Sequence, residues 1–380
     1  MGERRMIRWS MNNDIVVPVN EPFLGEEEKR LVNECLETGW ISSAGKFISQ
    51  FEKSFAEYCG CQYGVTTTNG TTAIHLALKS LGIGPGDEVL VPSFTMAGSI
   101  YPIVQCGATP VFVDSEIDTC NLMVNDLVNK ISPRTKAIEV VHLYGHPVDM
   151  DPILKISQEN NLWVVEDAAE AHGALYKGRK VGGIGHVGCF SFYANKIVTT
   201  GEGGMLVTND PDLVERARKL KDLSHGEKRF THVFPEAYNY RMTNIQAAIG
   251  LGQLNRIEET IRLKIANAKL YNEVLEDIPD LITPVCHPWA RNVYWMYGVQ
   301  VRKGSRFSKD QLIAKLEEMG VGTRSFFYPQ DRQPAFSRFS RGDCPNAMQL
   351  GQTGFYLPSG QTLTEKQIHY VSEILHKIMN

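Results

Sequence analysis

The stretch Leu162-Trp-Val-Val-Glu-Asp-Ala-Ala-Glu-Ala-His-Gly173 decides the fold. An apolar, β-branched run, Leu162–Glu166, ends in two acids, Glu166 and Asp167, and gives way to small residues. Such a run with no polar alternation is the pattern of a strand covered on both faces of a parallel sheet. Similar runs occur at Tyr63–Thr67, Glu88–Val91, Pro110–Val113, Lys136–Leu143, Cys189–Tyr193 and Met205–Thr208. Helical patterns lie between them: Thr72–Leu81, Asp126–Ile131 and Pro152–Asn160, the last with Asp151 as its expected N-cap and Pro152 in the first turn. Strands alternating with crossover helices predict an α/β fold with a mostly parallel central sheet. Ligands of such a sheet bind at the carboxyl ends of its strands, where Asp167 falls.

Farther along, Thr243–Leu275 reads as one long helical stretch with Ala247, Ala248, Leu251 and Leu254 on a recurring face. Beyond Pro279 the texture changes to a strand (Asn292–Val301), a helix (Gln311–Met319) and a closing helix (Thr364–Met379). We therefore expect a flexible leader over 1–14, a large domain over 15–265 and a smaller α+β domain over 266–380. The chain has 380 residues, 39 Lys+Arg against 43 Asp+Glu and a formal net charge of −4. A near-neutral balance without clustered basic residues argues against a nucleic-acid partner. No apolar run approaches the roughly 18 residues of a membrane span. The N-terminus carries basic residues with no apolar core behind them, unlike a secretory signal. Eight cysteines without zinc-type spacing read as reduced, buried thiols of a cytoplasmic protein.

Three constellations compete for the chemistry. Gly183-Ile-Gly-His-Val-Gly188 matches the dinucleotide fingerprint G-x-G-x-x-G, but a strand-like run follows it where a helix should start. His142 and His146 are spaced like metal ligands, yet they lie in a turn-rich segment with no completing Cys or carboxylate cluster, so they read as a loop pair and no metal is expected. The third is Asp167 together with Ser191-Phe-Tyr-Ala-Asn-Lys196 and the glycine-rich Thr199–Gly204. Upstream, Thr66–Thr72 closes a strand and opens a helix whose free N–H groups suit a phosphate. A lysine for a Schiff base, an acid for a pyridinium proton and a helix N-terminus for a phosphate are what an aldehyde cofactor of the pyridoxal type needs together.

The motifs VEDAAEAHG, SFYANKIVTTGEGG, NGTTAIHLAL, VPSFTM and YNYRMTNIQAAIG resemble the pyridoxal-phosphate nucleotide-sugar aminotransferases of the DegT/DnrJ/StrS type, in family order from about Asn20 to Leu357. The resemblance implies the aspartate-aminotransferase fold (fold type I) and a homodimer with active sites shared across the interface. It makes Lys196 the Schiff-base lysine and acid/base. Asp167 becomes the partner of the pyridinium nitrogen, where unit charges ~4 Å apart interact by about 4 kcal/mol before desolvation. Glu170 takes a position near the ring hydroxyl that is often Gln, and Glu there resembles the perosamine-forming members. Gly70, Thr71 and Ser191 match the phosphate contacts, and Asn239 matches an Asn that the other subunit supplies to the phosphate. Met96 stands where the family usually stacks an aromatic on the cofactor, which makes that contact softer.

Other residues carry blander expectations. His172 reads as a packing residue, Glu202 as an orderer of its loop, and Arg241 as part of a dimer contact or helix start. Arg324, Phe327 and Tyr328 resemble the stretch lining the sugar side; the plain alternative is a core strand with Arg324 in a salt bridge. The implied reaction moves an amino group from L-glutamate to C4 of a nucleotide-linked 4-keto-6-deoxyhexose, with the GDP series ahead of the UDP or dTDP series and C3 amination as the alternative. Lys196 argues against the family's dehydratases, which carry His there. A non-catalytic pyridoxal-phosphate sensor would want an attached module, and none is evident.

Overall fold

The computed structural model describes residues 16–228 and 230–379; the expected leader, 1–14, lies outside them. Seven strands form the central sheet: β1 (Tyr63–Thr67), β2 (Glu88–Pro92), β3 (Thr109–Val113), β4 (Thr135–Val141), β5 (Trp163–Asp167), β6 (Val187–Ser191) and β7 (Gly204–Thr208), in the order β1-β7-β6-β5-β4-β2-β3. Only β7 runs against its neighbours; the other pairings are parallel. The expected strands are all present with ends moved by a residue or two. The largest change is in β4, which stops at Val141 because His142 and Leu143 turn into a single 3-10 turn. Register places Asp167 between Val141 of β4 and Cys189 of β6, in the middle of the sheet's carboxyl edge.

The helix after β1 begins earlier than periodicity implied. Helix α3 spans Gly70–Ser80, counting in chain order after α1 (Glu26–Thr38) and α2 (Lys46–Cys59). Asn69 caps it: its Oδ1 accepts from the Thr72 N–H at 2.9 Å while the Asn69 N–H donates to Thr72 Oγ1 at 3.1 Å. Short helices α4 (Ile100–Gln105) and α5 (Val124–Asn129) follow β2 and precede β4. In α6 (Met150–Asn160) the expected N-cap is corrected. Asp149 holds the cap position, and Asp151 lies inside the first turn, where its carboxylate pairs with Lys177 at 2.6 Å instead.

The long stretch from Thr243 divides into α8 (Asn244–Leu254) and α9 (Ile257–Val274), after α7 (Pro211–Lys221). Thr243 caps α8 reciprocally with Gln246. Phe47, Phe51 and Phe55 form one buried stripe of α2, and α8 presses on it at Gly250, where an added Cβ would lie 2.6 Å from the Phe51 ring. Helix α9 crosses between two cores: Ile257 and Ile261 belong to the first, Ala268 and Tyr271 to the second. The expected boundary near 266 falls within this helix.

The second core lies under an antiparallel sheet of β8 (Leu281–Ile282), β9 (Tyr297–Val301), β10 (Arg324–Ser325) and β11 (Gly354–Leu357), ordered β8-β9-β11-β10. Helices α10 (Lys309–Glu318) and α11 (Glu365–Met379) pack on it, and Val17 from the N-terminal segment completes it. The expected strand Asn292–Val301 is shorter than its apolar run. Residues 292–296 are irregular, and Tyr294 adopts φ +48°. All eight cysteines are free; Cys286 is exposed, against the expectation of uniform burial. Among the described residues no helix is long and apolar enough to cross a membrane.

Candidate active site

A cavity of about 500 Å³ opens at the carboxyl ends of β5 and β6, under the start of α3. Its walls include Gly70, Thr71, Met96, Asp167, Glu170, Ser191 and Lys196, at or beside the carboxyl edge of the central sheet, and Arg324 and Phe327 from the smaller unit. The sequence-derived candidates thus converge, with two exceptions. Tyr328 is 54% exposed and is not one of the residues lining the cavity. Asn239 lies on the surface, where its Oδ1 accepts from Arg241 Nε at 2.9 Å. Arg241 itself spans Asn239 and Asp222 and leaves the start of α8 to Thr243.

Lys196 sits one residue beyond the carbonyl of Asn195, in the irregular chain between β6 and β7. Its Nζ is 3.9 Å from Glu170 Oε1 and 3.7 Å from the centroid of the Trp295 ring. Burial lowers its proton affinity, and the carboxylates of Glu170 and Asp167 partly restore it. Burial also pushes the Glu170 carboxyl up to about 7, against the pull of Lys196 and of the Tyr144 N–H, which donates to Oε2 at 2.9 Å. Tyr144 directs that N–H from a left-handed backbone, φ +54°, a costly conformation for a side chain this large. Its ring is packed against Phe94, Phe326, Phe327 and Tyr356.

Asp167 is buried at the floor. Burial raises its proton affinity, opposed by two donors: Ser99 Oγ at 2.8 Å to Oδ2 and the Ala169 N–H at 3.1 Å to Oδ1. The start of α3 meets the end of β6 tightly: a Cβ on Gly70 would lie 2.7 Å from Ser191 Cβ, so glycine is required for this approach. The Asn69 cap takes up the Thr72 N–H, and the helix's preceding amides and dipole stay available for an anion. A buried amine, a buried carboxylate held by a hydroxyl and an uncovered helix start on one cavity fit a phosphate-bearing pyridine aldehyde.

The remaining candidates resolve into structural parts. His172 lies among Phe55, Phe190 and Phe192, and burial pulls its proton affinity down to about 3. The backbone oxygen of Glu202 accepts from Thr200 and Gln246 while the residue lines the cavity. His146 accepts the His287 N–H at Nε2, and His142 donates to Glu166. The loop containing Gly183–Gly188 wraps Glu166 too. Arg324 forms no ion pair among the described residues, so the salt-bridge alternative does not hold. Sequence reasoning missed Ser99 and Trp295. A hydroxyl in the loop after β2 was a readable hint for Ser99. Trp295 belonged to a run read as strand, and nothing local marks its approach to Lys196.

The fold and site are those of a fold type I, pyridoxal-phosphate-dependent aminotransferase. The chain belongs to the DegT/DnrJ/EryC1/StrS aminotransferase family, whose model matches residues 22–376. It is 45% identical over 365 residues (96% of this chain, 98% of the relative) to a GDP-perosamine synthase of Caulobacter vibrioides. It is 42% identical over 364 residues (95% and 98%) to a GDP-perosamine synthase of Escherichia coli O157:H7. Among solved structures, the aminotransferase TlmJ from Streptoalloteichus hindustanus matches with TM-score 0.90 at 32% identity, covering 95% of this chain and 98% of that one. A GDP-4-keto-6-deoxy-D-mannose-3-dehydratase from E. coli, solved with bound hydrated PLP, also matches at TM-score 0.90, with 25% identity and coverage of 95% and 99%. The chain is thus a nucleotide-sugar aminotransferase, and pyridoxal phosphate is its cofactor.

Proposed function

We propose that the protein transfers the amino group of L-glutamate to C4 of a GDP-linked 4-keto-6-deoxyhexose, releasing 2-oxoglutarate and a GDP-linked 4-amino sugar. The observation that carries this reading is the buried Lys196 amine, set between Glu170 and Trp295 in a cavity whose other walls suit a phosphate and a ring nitrogen. A dehydratase, a rival within the family, would not use a lysine there. The GDP-perosamine synthase names of the relatives support the GDP series and C4.

Bound pyridoxal phosphate supplies the carbonyl carbon that carries the amino group between substrates and an electron-withdrawing ring. The protein's own residues do the rest. Asp167 would hold the proton of the ring nitrogen, with Ser99 and the Ala169 N–H keeping the carboxylate aimed and charged. Gly70, Thr71 and Ser191 would hold the phosphate. Lys196, its proton affinity lowered by burial, would be the base that takes up and returns the proton moved in the transfer, a role that requires an amine near its own titration point at working pH. Glu170 stands ready to share that proton. Arg324 and Phe327 would meet the sugar nucleotide: a forked guanidinium suits a diphosphate, and an aromatic face suits a 6-deoxy methyl group.

Asn239, exposed in one chain, would reach the phosphate of a second copy, giving a homodimer with shared sites in the cytoplasm. The test is incubation with L-glutamate and GDP-4-keto-6-deoxymannose, followed by NMR of the product. Nitrogen on C4 is expected; nitrogen on C3, or turnover only with UDP or dTDP sugars, overturns the substrate assignment. Borohydride reduction and peptide mapping should place the pyridoxyl group on Lys196.

A further inference from the structure

We propose that Trp295 is a positioning residue for Lys196: its ring face holds the lysine ammonium, and its indole N–H fixes the carbonyl that precedes the lysine. The inference rests on the reading of Lys196 as the reactive amine. Trp295 is buried, and Lys196 Nζ stands 3.7 Å above its ring centroid. Its Nε1–H donates at 2.8 Å to Asn195 O. The same oxygen accepts from Asn20 Nδ2 at 3.0 Å.

Two donors far apart in sequence therefore pin one carbonyl. Asn20 comes from the N-terminal segment, which is tied to the smaller unit where Ser359 N donates to Val19 O at 2.9 Å. Trp295 comes from the irregular residues just before β9. The lysine is fixed at its backbone by these bonds and at its tip by the ring.

Other charged or titratable groups also face the amine. Glu170, Asp167 and His172 come from the segment at and after β5, and Glu202 and Arg324 line the same cavity. The acids draw the ammonium toward the β5 side, and the ring holds it from the other. Whenever Lys196 is not covalently tied, its amine must accept a proton and give it back, and a ring beneath it keeps the charged form in reach. In a desolvated site such a contact changes the charged-to-neutral ratio by a factor of about 10.

Two roles for the ring predict opposite shifts. If it holds the cation, weakening its face lowers the proton affinity of Lys196. If it only excludes water, removing it hydrates the amine and raises that affinity. The full-length protein in its pyridoxamine-phosphate form leaves Lys196 free for competitive acetylation with acetic anhydride, read by mass spectrometry from pH 6 to 10. Trp295→Leu should lower the pH of half-labelling by about one unit. Trp295→Phe, which keeps a weaker ring and loses the N–H, should lower that midpoint by less than Trp295→Leu does, while kcat falls severalfold with little change in KM.

Incorporating fluorinated tryptophans into the unaltered sequence drains electron density from the ring at nearly constant volume. It covers the case in which the Leu variant does not fold. The midpoint should fall stepwise with the number of fluorines. An unmoved midpoint across the fluorinated series, or a raised one in Trp295→Leu, overturns the proposal. Failure of the underlying reading looks different: Lys196 would then acetylate as readily in the pyridoxal form as in the pyridoxamine form.

Discussion

Replacing Glu166 by Gln should cost the protein a large part of its stability. Glu166 is fully buried in β5, one residue before Asp167. Its Oε1 accepts the N–H groups of Ile184 at 2.8 Å and Gly185 at 2.5 Å. Its Oε2 accepts the Gly182 N–H at 2.7 Å and His142 Nε2 at 3.0 Å. The Val148 N–H donates to His142 Nδ1 at 3.0 Å, so the ring proton belongs on Nε2, facing the carboxylate. Burial raises the proton affinity of Glu166, but the bonds from His142 and the glycine-loop amides outweigh it and hold the carboxyl below its usual range.

A glutamine has one acceptor oxygen, and its NH₂ group would confront two donors. Two hydrogen bonds to a charged group are then lost, at about 1.5–3 kcal/mol each, for a total of about 3–6 kcal/mol. Urea melts followed by circular dichroism at pH 7 should show a lower midpoint at unchanged slope. The pH dependence has a definite sign. A carboxyl with a depressed folded value contributes stability above its unfolded value, near 4.3, and loses it as pH falls through the folded value. The gap between wild type and Glu166→Gln should therefore narrow below about pH 4.5. A loss under about 1 kcal/mol at pH 7, or a gap unchanged down to pH 3, refutes the reasoning.

Ser99→Ala removes the hydroxyl that donates to Asp167 Oδ2, and the lost bond to a charged group predicts a 10- to 150-fold weaker cofactor affinity by spectral titration, roughly 1.5–3 kcal/mol. Asn239→Ala should weaken cofactor binding over the same rough range if this residue serves the partner's phosphate; unchanged affinity counts against the crossing. Glu139, buried in β4 with neither oxygen hydrogen-bonded, has its proton affinity raised well above normal by burial. Glu139→Met should stabilise the fold by about 1–3 kcal/mol. The gain should be larger at pH 8 than at pH 4.5, because a raised folded value makes wild-type stability fall as pH rises past the unfolded one. Equal gains at the two pH values would exclude a titrating Glu139.

The central sheet was legible because β2 to β7 are buried along nearly their whole length and read as mostly apolar runs without polar alternation. The smaller sheet was not: three of its four strands have two to four residues, too few for a period to show. In the site, Asp167, Ser191 and the Asn69–Thr72 turn lie at the ends of elements that pattern alone locates, so their convergence follows from topology. Trp295 and Tyr144 depend on left-handed backbone at Tyr294 and Tyr144, which only the packed structure imposes. The misleading motifs have one explanation. The glycine loop of Gly183–Gly188 does present backbone amides to an anion, but that anion is Glu166, and His142 serves the same carboxylate.

Lys196 and Glu170 carry this logic into the chemistry. Each is buried, and burial disfavours the charged form of both, lowering the amine and raising the acid. The two titrations are driven toward one another until the acid stands at about 7, within 3.9 Å of the amine. Drawing an acid and a base closer in proton affinity reduces the driving force for exchange in either direction, which suits a cycle that runs proton transfer both ways. A glutamine in place of Glu170 would leave the lysine without this partner, and only Asp167 and the Trp295 ring would then favour its charged form. The choice of Glu at this position therefore bears on the lysine as much as on any contact with the cofactor ring.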